Sequence, residues 1–141
     1  MEIRPYDEHD EQAVVDLWNE VFPYHEPRNE ASRVIRQKVA SGCDLFFVAR
    51  KEGGVVGTVI GGYDGHRGWV YRLAVDPRYR SRGIGAALMG HLERALAERG
   101  CPKINLQIHG SNAEVAAFYE RIGYRVEDRV SMGKDITERS G

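Results

Sequence analysis

The chain has 141 residues, enough for one domain with a sizeable core, and residues 1–141 read as a single domain. Lys and Arg total 20 against 21 Asp and Glu, so a formal net charge of −1 argues against nucleic acid or a membrane surface as partner. The charged start MEIRPYDEHD, with no apolar run near the ~18 residues of a membrane span, leads to the expectation of a soluble, cytoplasmic protein.

Glu2 to Tyr6 reads as a short extended segment, and Asp7 offers a helix cap before Val14, Leu17, Trp18 and Val21 at helical spacing. Pro23 and Pro27 break that helix, and Ala31, Val34, Ile35, Lys38 and Val39 mark a second one ending at Ser41-Gly42. Leu45 to Ala49 and Val55 to Tyr63 are β-rich and joined through Lys51-Glu52-Gly53-Gly54, a hairpin signal. The turn Asp64 to Gly68 leads into a strand from Trp69 to Val75. Ile84, Leu88, Leu92 and Ala95 share one face of a third helix that stops at Gly100, with His91 beside that face as a packed residue. Ile104, Leu106 and Ile108 alternate as in a strand. Ser111-x-x-Glu114 is a capping box for a short helix carrying Val115, Phe118, Tyr119 and Ile122 and ended by Gly123. Tyr124 to Val126 and Val130 to Met132 read as two short closing strands. The predicted order is β-α-α-β-β-β-α-β-α-β-β, an α/β fold with about seven strands and four helices.

Metal chemistry and serine hydrolysis find little support. His9, His25, His66, His91 and His109 lack metal-ligand spacing, no Gly-x-Ser-x-Gly elbow is present, and Cys43 and Cys101 read as buried, inert thiols. The informative stretch is Arg80-Ser81-Arg82-Gly83-Ile84-Gly85-Ala86, placed between the fourth strand and the third helix. The first N–H groups of a helix have no internal partners and carry partial positive charge, so they favour an anion. Gly83 and Gly85 let the backbone approach closely, and Arg78, Arg80 and Arg82 add positive charge, so the expected ligand carries phosphates. The run is neither a Walker loop, which needs Gly-Lys-Ser/Thr, nor a three-glycine dinucleotide fingerprint.

With this order of elements, the chain resembles the GNAT superfamily of N-acetyltransferases over nearly its full length. Tyr71-Arg72-Leu73-Ala74-Val75 followed by Arg80-x-x-Gly83-x-Gly85 is similar to that family's acetyl-CoA motif. Asn112-x6-Tyr119-Glu120-Arg121-Ile122-Gly123-Tyr124 is similar to its downstream motif. Gly61 to Gly68 (GGYDGHRG) and Arg99 to Ile104 further resemble the small bacterial YpeA-type acetyltransferases.

The resemblance implies a GNAT fold with a mixed central sheet, and acetyl-CoA as co-substrate without a metal. The backbone of Leu73, Ala74 and Val75 would lie beside the pantetheine arm as if it were an added strand. The amides of Arg80, Ser81, Arg82, Gly83, Ile84, Gly85 and Ala86 would hold the pyrophosphate. Asn112 would contact the pantetheine arm or an ordered water, or serve only as a helix cap. Tyr119 would act as general acid toward the thioester sulfur, and the Val75 N–H could polarise the acetyl carbonyl.

The implied reaction moves acetyl to a primary amine of a small molecule or protein by direct attack in a ternary complex; the alternative is a non-catalytic CoA-binding regulatory module. A lysine-like amine of pKa ~10.4 is only about one part in a thousand neutral near pH 7.4, a cost on the order of 4 kcal/mol that a base or desolvation must meet. Relatives that acetylate protein N-termini often carry a glutamate where this chain has Gln107, so Asp64 and His66 are the nearest substitutes, with a solvated turn as the other reading. Trp18, Phe22, Tyr24 and Trp69 could line an acceptor pocket or belong to the core. A homodimer is compatible with the sequence.

Overall fold

In the computed structural model, which describes residues 1–22, 29–109 and 112–136, the chain forms a five-stranded sheet. Pro23, Tyr24, His25, Glu26, Pro27 and Ser111 lie outside the described residues. The strands are β1 (Glu2–Pro5), β2 (Phe46–Lys51), β3 (Gly54–Tyr63), β4 (Gly68–Val75) and β5 (Ile104–Leu106); β2 and β3 are buried over continuous runs, while β4 alternates. They lie side by side in chain order, antiparallel from β1 to β4, while β5 runs parallel to β4. The sheet is therefore mixed. The hairpin between β2 and β3 turns on Glu52 and Gly53, both at positive φ (54° and 80°), which matches the right-handed twist of the strands.

The chain divides into two compact units, Met1–Gln107 and Ile108–Gly141. In the first, helices α1 (Glu11–Val21) and α2 (Ala31–Ala40) cover one sheet face and α3 (Ile84–Glu98) the other. Asp7 does cap, but it caps a 3-10 turn over Glu8–Asp10 that precedes α1. Asp10 in turn accepts two hydrogen bonds from Arg4, at 2.8 and 2.9 Å. Val14, Leu17 and Trp18 of α1 join Ala31 and Ile35 of α2 over Phe46, Val48, Ile60 and Ala74.

Glu30 caps α2 by accepting from the backbone N–H groups of Ser32 and Arg33. The buried face of this helix runs through Ala31, Ile35 and Lys38, whereas Val39 is 57% exposed. On the other side Leu88, Met89, Leu92 and Leu96 of α3 are buried, and His91 meets Phe47 edge-on with ring centroids 4.5 Å apart. Gly61 admits α3 closely: a Cβ there would lie 2.5 Å from Leu92. On the opposite face, the Lys38 ammonium sits 4.0 Å from where a Cβ of Gly62 would be.

The second unit contains α4 (Ala113–Arg121), capped by Asn112, whose side chain accepts from the Val115 N–H at 3.2 Å. Tyr119 is buried and stands edge-on to Phe118 and Tyr124. Two predicted strands are absent. Tyr124 to Val126 and Val130 to Met132 form no strand, and Val126, Val130 and Met132 are exposed. A short alternation becomes a strand only where a neighbour supplies hydrogen bonds and burial, and these segments are separated by the charged run Glu127-Asp128-Arg129. β5 is likewise shorter than predicted, ending at Leu106. Cys43 and Cys101 are free thiols but only partly buried. Among the described residues no helix is long and apolar enough to cross a membrane.

Candidate active site

Strand β4 carries the irregularity around which the site is built. Thr58 pairs with Ala74 and Ile60 with Tyr71, so β4 spends one more residue than β3 over the same span. The extra residue is accommodated at Arg72, which adopts a left-handed φ of 56°. A non-glycine residue holds that conformation only when its surroundings impose it. Here the Thr58 hydroxyl donates to the Arg72 carbonyl at 2.9 Å and accepts from the Trp18 indole N–H at 2.8 Å, all within the buried interior. The Arg72 guanidinium lies over the rings of Trp18 and Phe22, 4.5 and 5.3 Å from their centroids, and donates to the Asn29 carbonyl.

The bulge sets the direction of everything after it. Asp76 donates its N–H to Val56 of β3 at 2.8 Å, so by alternation Val75 and Leu73 turn their backbone groups to the opposite edge. That edge is open. β5 pairs only with Gly68, Trp69 and Val70, and from Tyr71 to Val75 no strand pairs with β4 on the side away from β3 among the described residues. The strand thus offers a row of peptide groups to an extended ligand.

The open edge leads to the glycine turn. Asp76 caps a 3-10 turn at Pro77–Tyr79 and accepts from the Arg78 guanidinium at 3.0 and 2.8 Å, so Arg78 is held in a local ion pair. Arg80 and Arg82 are exposed, and Arg82 lies 5.1 Å from the Tyr79 ring centroid. Ser81 and Gly83 are both left-handed, with φ of 63° and 80°. Gly83 is the N-cap of α3 and no side chain caps the helix; its first backbone bond runs from Ala87 N–H to Gly83. The N–H groups of Ile84, Gly85 and Ala86 therefore precede the helical ladder, the arrangement that holds a phosphate.

On the α1/α2 face a cleft of about 310 Å³ is lined by Asn29, Val34, Gln37, Lys38, Ser41, Tyr71 and Arg72. The bulge brings Tyr71 and Arg72, neighbours in sequence, to this same face. Burial pushes the Tyr71 hydroxyl pKa up. Of the four aromatic residues considered for an acceptor pocket, Trp18 is fully buried in the core, Phe22 lies beneath Arg72, Trp69 is 41% exposed, and Tyr24 is outside the described residues. Lys38, Tyr71 and Arg72 were not singled out as cleft residues by the sequence. A lysine among apolar helix markers was the available signal for Lys38; none existed for Arg72.

Asp64 and His66 occupy the turn before β4. Asp64 accepts from the backbone N–H of Arg67 at 2.7 Å and of His66 at 2.8 Å, and from the Trp69 indole at 3.4 Å. The two backbone donors, Arg67 first, hold its carboxyl below the usual range, so it is ionised at neutral pH. In the second unit, burial pushes the Tyr119 hydroxyl up to about 12, which keeps it a proton donor. Among the described residues no group of His, Cys, Asp and Glu side chains is arranged to hold a metal ion.

Solved structures share this fold. Ard1 from Thermoplasma volcanium is 23% identical with a TM-score of 0.78, covering 89% of this chain and 83% of that one. The ribosomal-protein-S18-alanine N-acetyltransferase from Escherichia coli is 25% identical with a TM-score of 0.70, covering 86% and 76%. The PaiA N-acetyltransferase from Thermoplasma acidophilum, solved in complex with coenzyme A, is 21% identical with a TM-score of 0.78, covering 92% of each chain. The family model described as Acetyltransferase (GNAT) family matches residues 11–124. The chain belongs to the GNAT family as an acetyl-CoA-dependent N-acetyltransferase.

Proposed function

We propose that this enzyme acetylates a primary amine on a small molecule or protein by direct attack within a ternary complex, both units acting as one domain over residues 1–141. The observation that carries this reading is the continuous path from the open β4 edge at Leu73 and Val75 to the free N–H groups at the start of α3. Acetyl-CoA, when bound, supplies an activated thioester. Leu73, Ala74 and Val75 bind its pantetheine arm as an added strand, and the turn from Arg80 through Ser81, Arg82, Gly83, Ile84 and Gly85 to Ala86 holds the pyrophosphate. Because the turn follows Val75, the arm runs back along β4 and its reactive end lies toward the bulge. The cleft beside Tyr71 and Arg72 then receives the acceptor.

Tyr119 and Asn112 take their roles from the family motif. Asn112 offers its side-chain N–H groups to the arm while its oxygen caps α4. Tyr119 acts as the acid by donating a hydrogen bond to the leaving sulfur. With a hydroxyl near 12 and a thiol of pKa ~8.5, full transfer in water is uphill by roughly 5 kcal/mol, so the proton moves only as the buried sulfur itself becomes more basic. The Val75 N–H polarises the acetyl carbonyl. Asp64 or His66 accepts the amine proton through water, from the turn that adjoins Trp69. The motif GGYDGHRG supports a relation to the YpeA-type enzymes.

Calorimetric titration with acetyl-CoA and with pantetheine fragments lacking the pyrophosphate tests the reading. Binding that requires the pyrophosphate, together with amine-dependent release of free thiol, is expected. Binding without thiol release from any amine or peptide supports a CoA-binding regulatory module instead.

A further inference from the structure

The cleft beside the bulge holds a charge that the acetyl-transfer reading does not use. Lys38 projects from α2 yet is only 7% exposed. An ammonium has three N–H donors. One is given to the Gly61 carbonyl at 2.5 Å, and the Tyr71 ring lies 5.8 Å away; the other two have no acceptor among the described residues. Buried cations are ordinarily matched by an anion, because a carbonyl and a ring face replace only part of the lost hydration. Asp44 is near enough for its carboxyl to be influenced by Lys38, but it is exposed and paired with Arg99. No Asp or Glu lines the cleft among the described residues, and Arg72 adds a second positive charge to the wall.

We propose that Lys38 determines acceptor specificity by binding an anionic group, and that the acceptor class is small primary amines bearing a carboxylate. This inference rests on the acetyl-transfer reading. An ammonium with two free donors suits a singly charged group, and Arg72 beside it gives Nη2 to the Asn29 carbonyl and lies over the rings of Trp18 and Phe22. The cleft of about 310 Å³ is at the small end of ligand sites, which favours a compact acceptor. A polycationic amine meets only repulsion from Lys38 and Arg72. The same two cations disfavour the protonated form of a nearby amine, so they help supply the neutral nucleophile the reaction needs.

The test measures thiol release at saturating acetyl-CoA with a set of amino acids, each beside its carboxamide and its decarboxylated amine, and with spermidine. Wild-type enzyme is expected to favour the acids by about tenfold or more in kcat/KM, the worth of one hydrogen bond to a charged group. K38M should abolish that preference by raising KM for the acids with little change in kcat, and K38R should retain part of it. Spermidine used as well as the acids, no turnover of any acid, or an undiminished preference in K38M each overturns the inference. The wild-type comparison of acid with amide needs no variant, so a poorly folded K38M does not spoil the test. An acetyl-CoA Kd measured on the same protein separates the two readings: lost binding counts against acetyl transfer, whereas normal binding without acid preference counts only against the role of Lys38.

Discussion

Replacing Thr58 with valine keeps the branched shape of the side chain and deletes the hydroxyl that locks the β4 bulge. Thr58 is fully buried, and its hydroxyl sits in a chain from the Trp18 indole N–H to the Arg72 carbonyl, with bonds of 2.8 and 2.9 Å. Valine strands the buried indole N–H, which costs about 1–3 kcal/mol, and forfeits the second bond, worth roughly 0.5–1.5 kcal/mol net. The sum, about 2–4 kcal/mol, corresponds to a fall in Tm of roughly 6–12 °C for a chain of this size. Urea unfolding followed by tryptophan fluorescence and far-UV circular dichroism measures the change, with T58S as the control that keeps the hydroxyl. The kcat should fall further than stability requires, because the bulge directs Tyr71 and Arg72 to the cleft proposed to receive the acceptor. A T58V enzyme within about 0.5 kcal/mol of wild type, or a T58S enzyme as unstable as T58V, would refute the locking role.

G83D should raise the acetyl-CoA Kd by about tenfold or more while Tm moves only a few degrees, because an aspartate at the N-cap offsets the strain of φ 80° by occupying the amides the pyrophosphate needs; an unchanged Kd in calorimetry removes the turn from the site. Y119F should lower kcat by about 10- to 100-fold with little change in acetyl-CoA affinity. With the Tyr119 hydroxyl near 12, the pH profile of kcat should show no loss from this group below about pH 10, and a limb near pH 9 that disappears in Y119F would contradict that. D10N tests a linkage. Burial raises the Asp10 pKa, but the hydrogen bonds from Arg4 outweigh it and hold the carboxyl below its ordinary value. The stabilisation is present above the unfolded pKa of ~3.9 and is lost as pH falls through the lower folded value. D10N should therefore cost about 1–2 kcal/mol at pH 7, with the gap to wild type closing below about pH 4; a gap constant from pH 7 to pH 3 would refute the assignment.

The parts of the site legible in the sequence were those encoded locally. Gly83 marks a turn because its left-handed φ of 80° favours glycine, and the apolar residues from Ile84 to Leu92 fix the helix behind it. Asn112 was readable as a cap, and it caps. The bulge was invisible: Tyr71-Arg72-Leu73 contains no glycine, and its left-handed residue is imposed by Thr58 and Trp18, distant in sequence. The pairing of Arg78 with Asp76, two residues before it, is not marked by the basic run that surrounds the turn. The burial of Lys38 depends on the glycines of β3 beneath it, which helical periodicity does not report. The closing strands failed for a related reason, since alternation at Tyr124 to Val126 specifies a face but not a neighbour.

The adjacent glycines of β3 make one point of the sheet bare on both sides. Gly61 faces Leu92 of α3 and Gly62 faces the Lys38 ammonium, so a hydrophobic core contact and a buried charge in the cleft are separated by a single peptide unit. An alanine at 61 would drive into Leu92 and test the fold, while an alanine at 62 would just reach the ammonium and leave the core alone. If Lys38 holds the acceptor as proposed, position 62 is where its preference changes by one small step while the Leu92 contact is left alone.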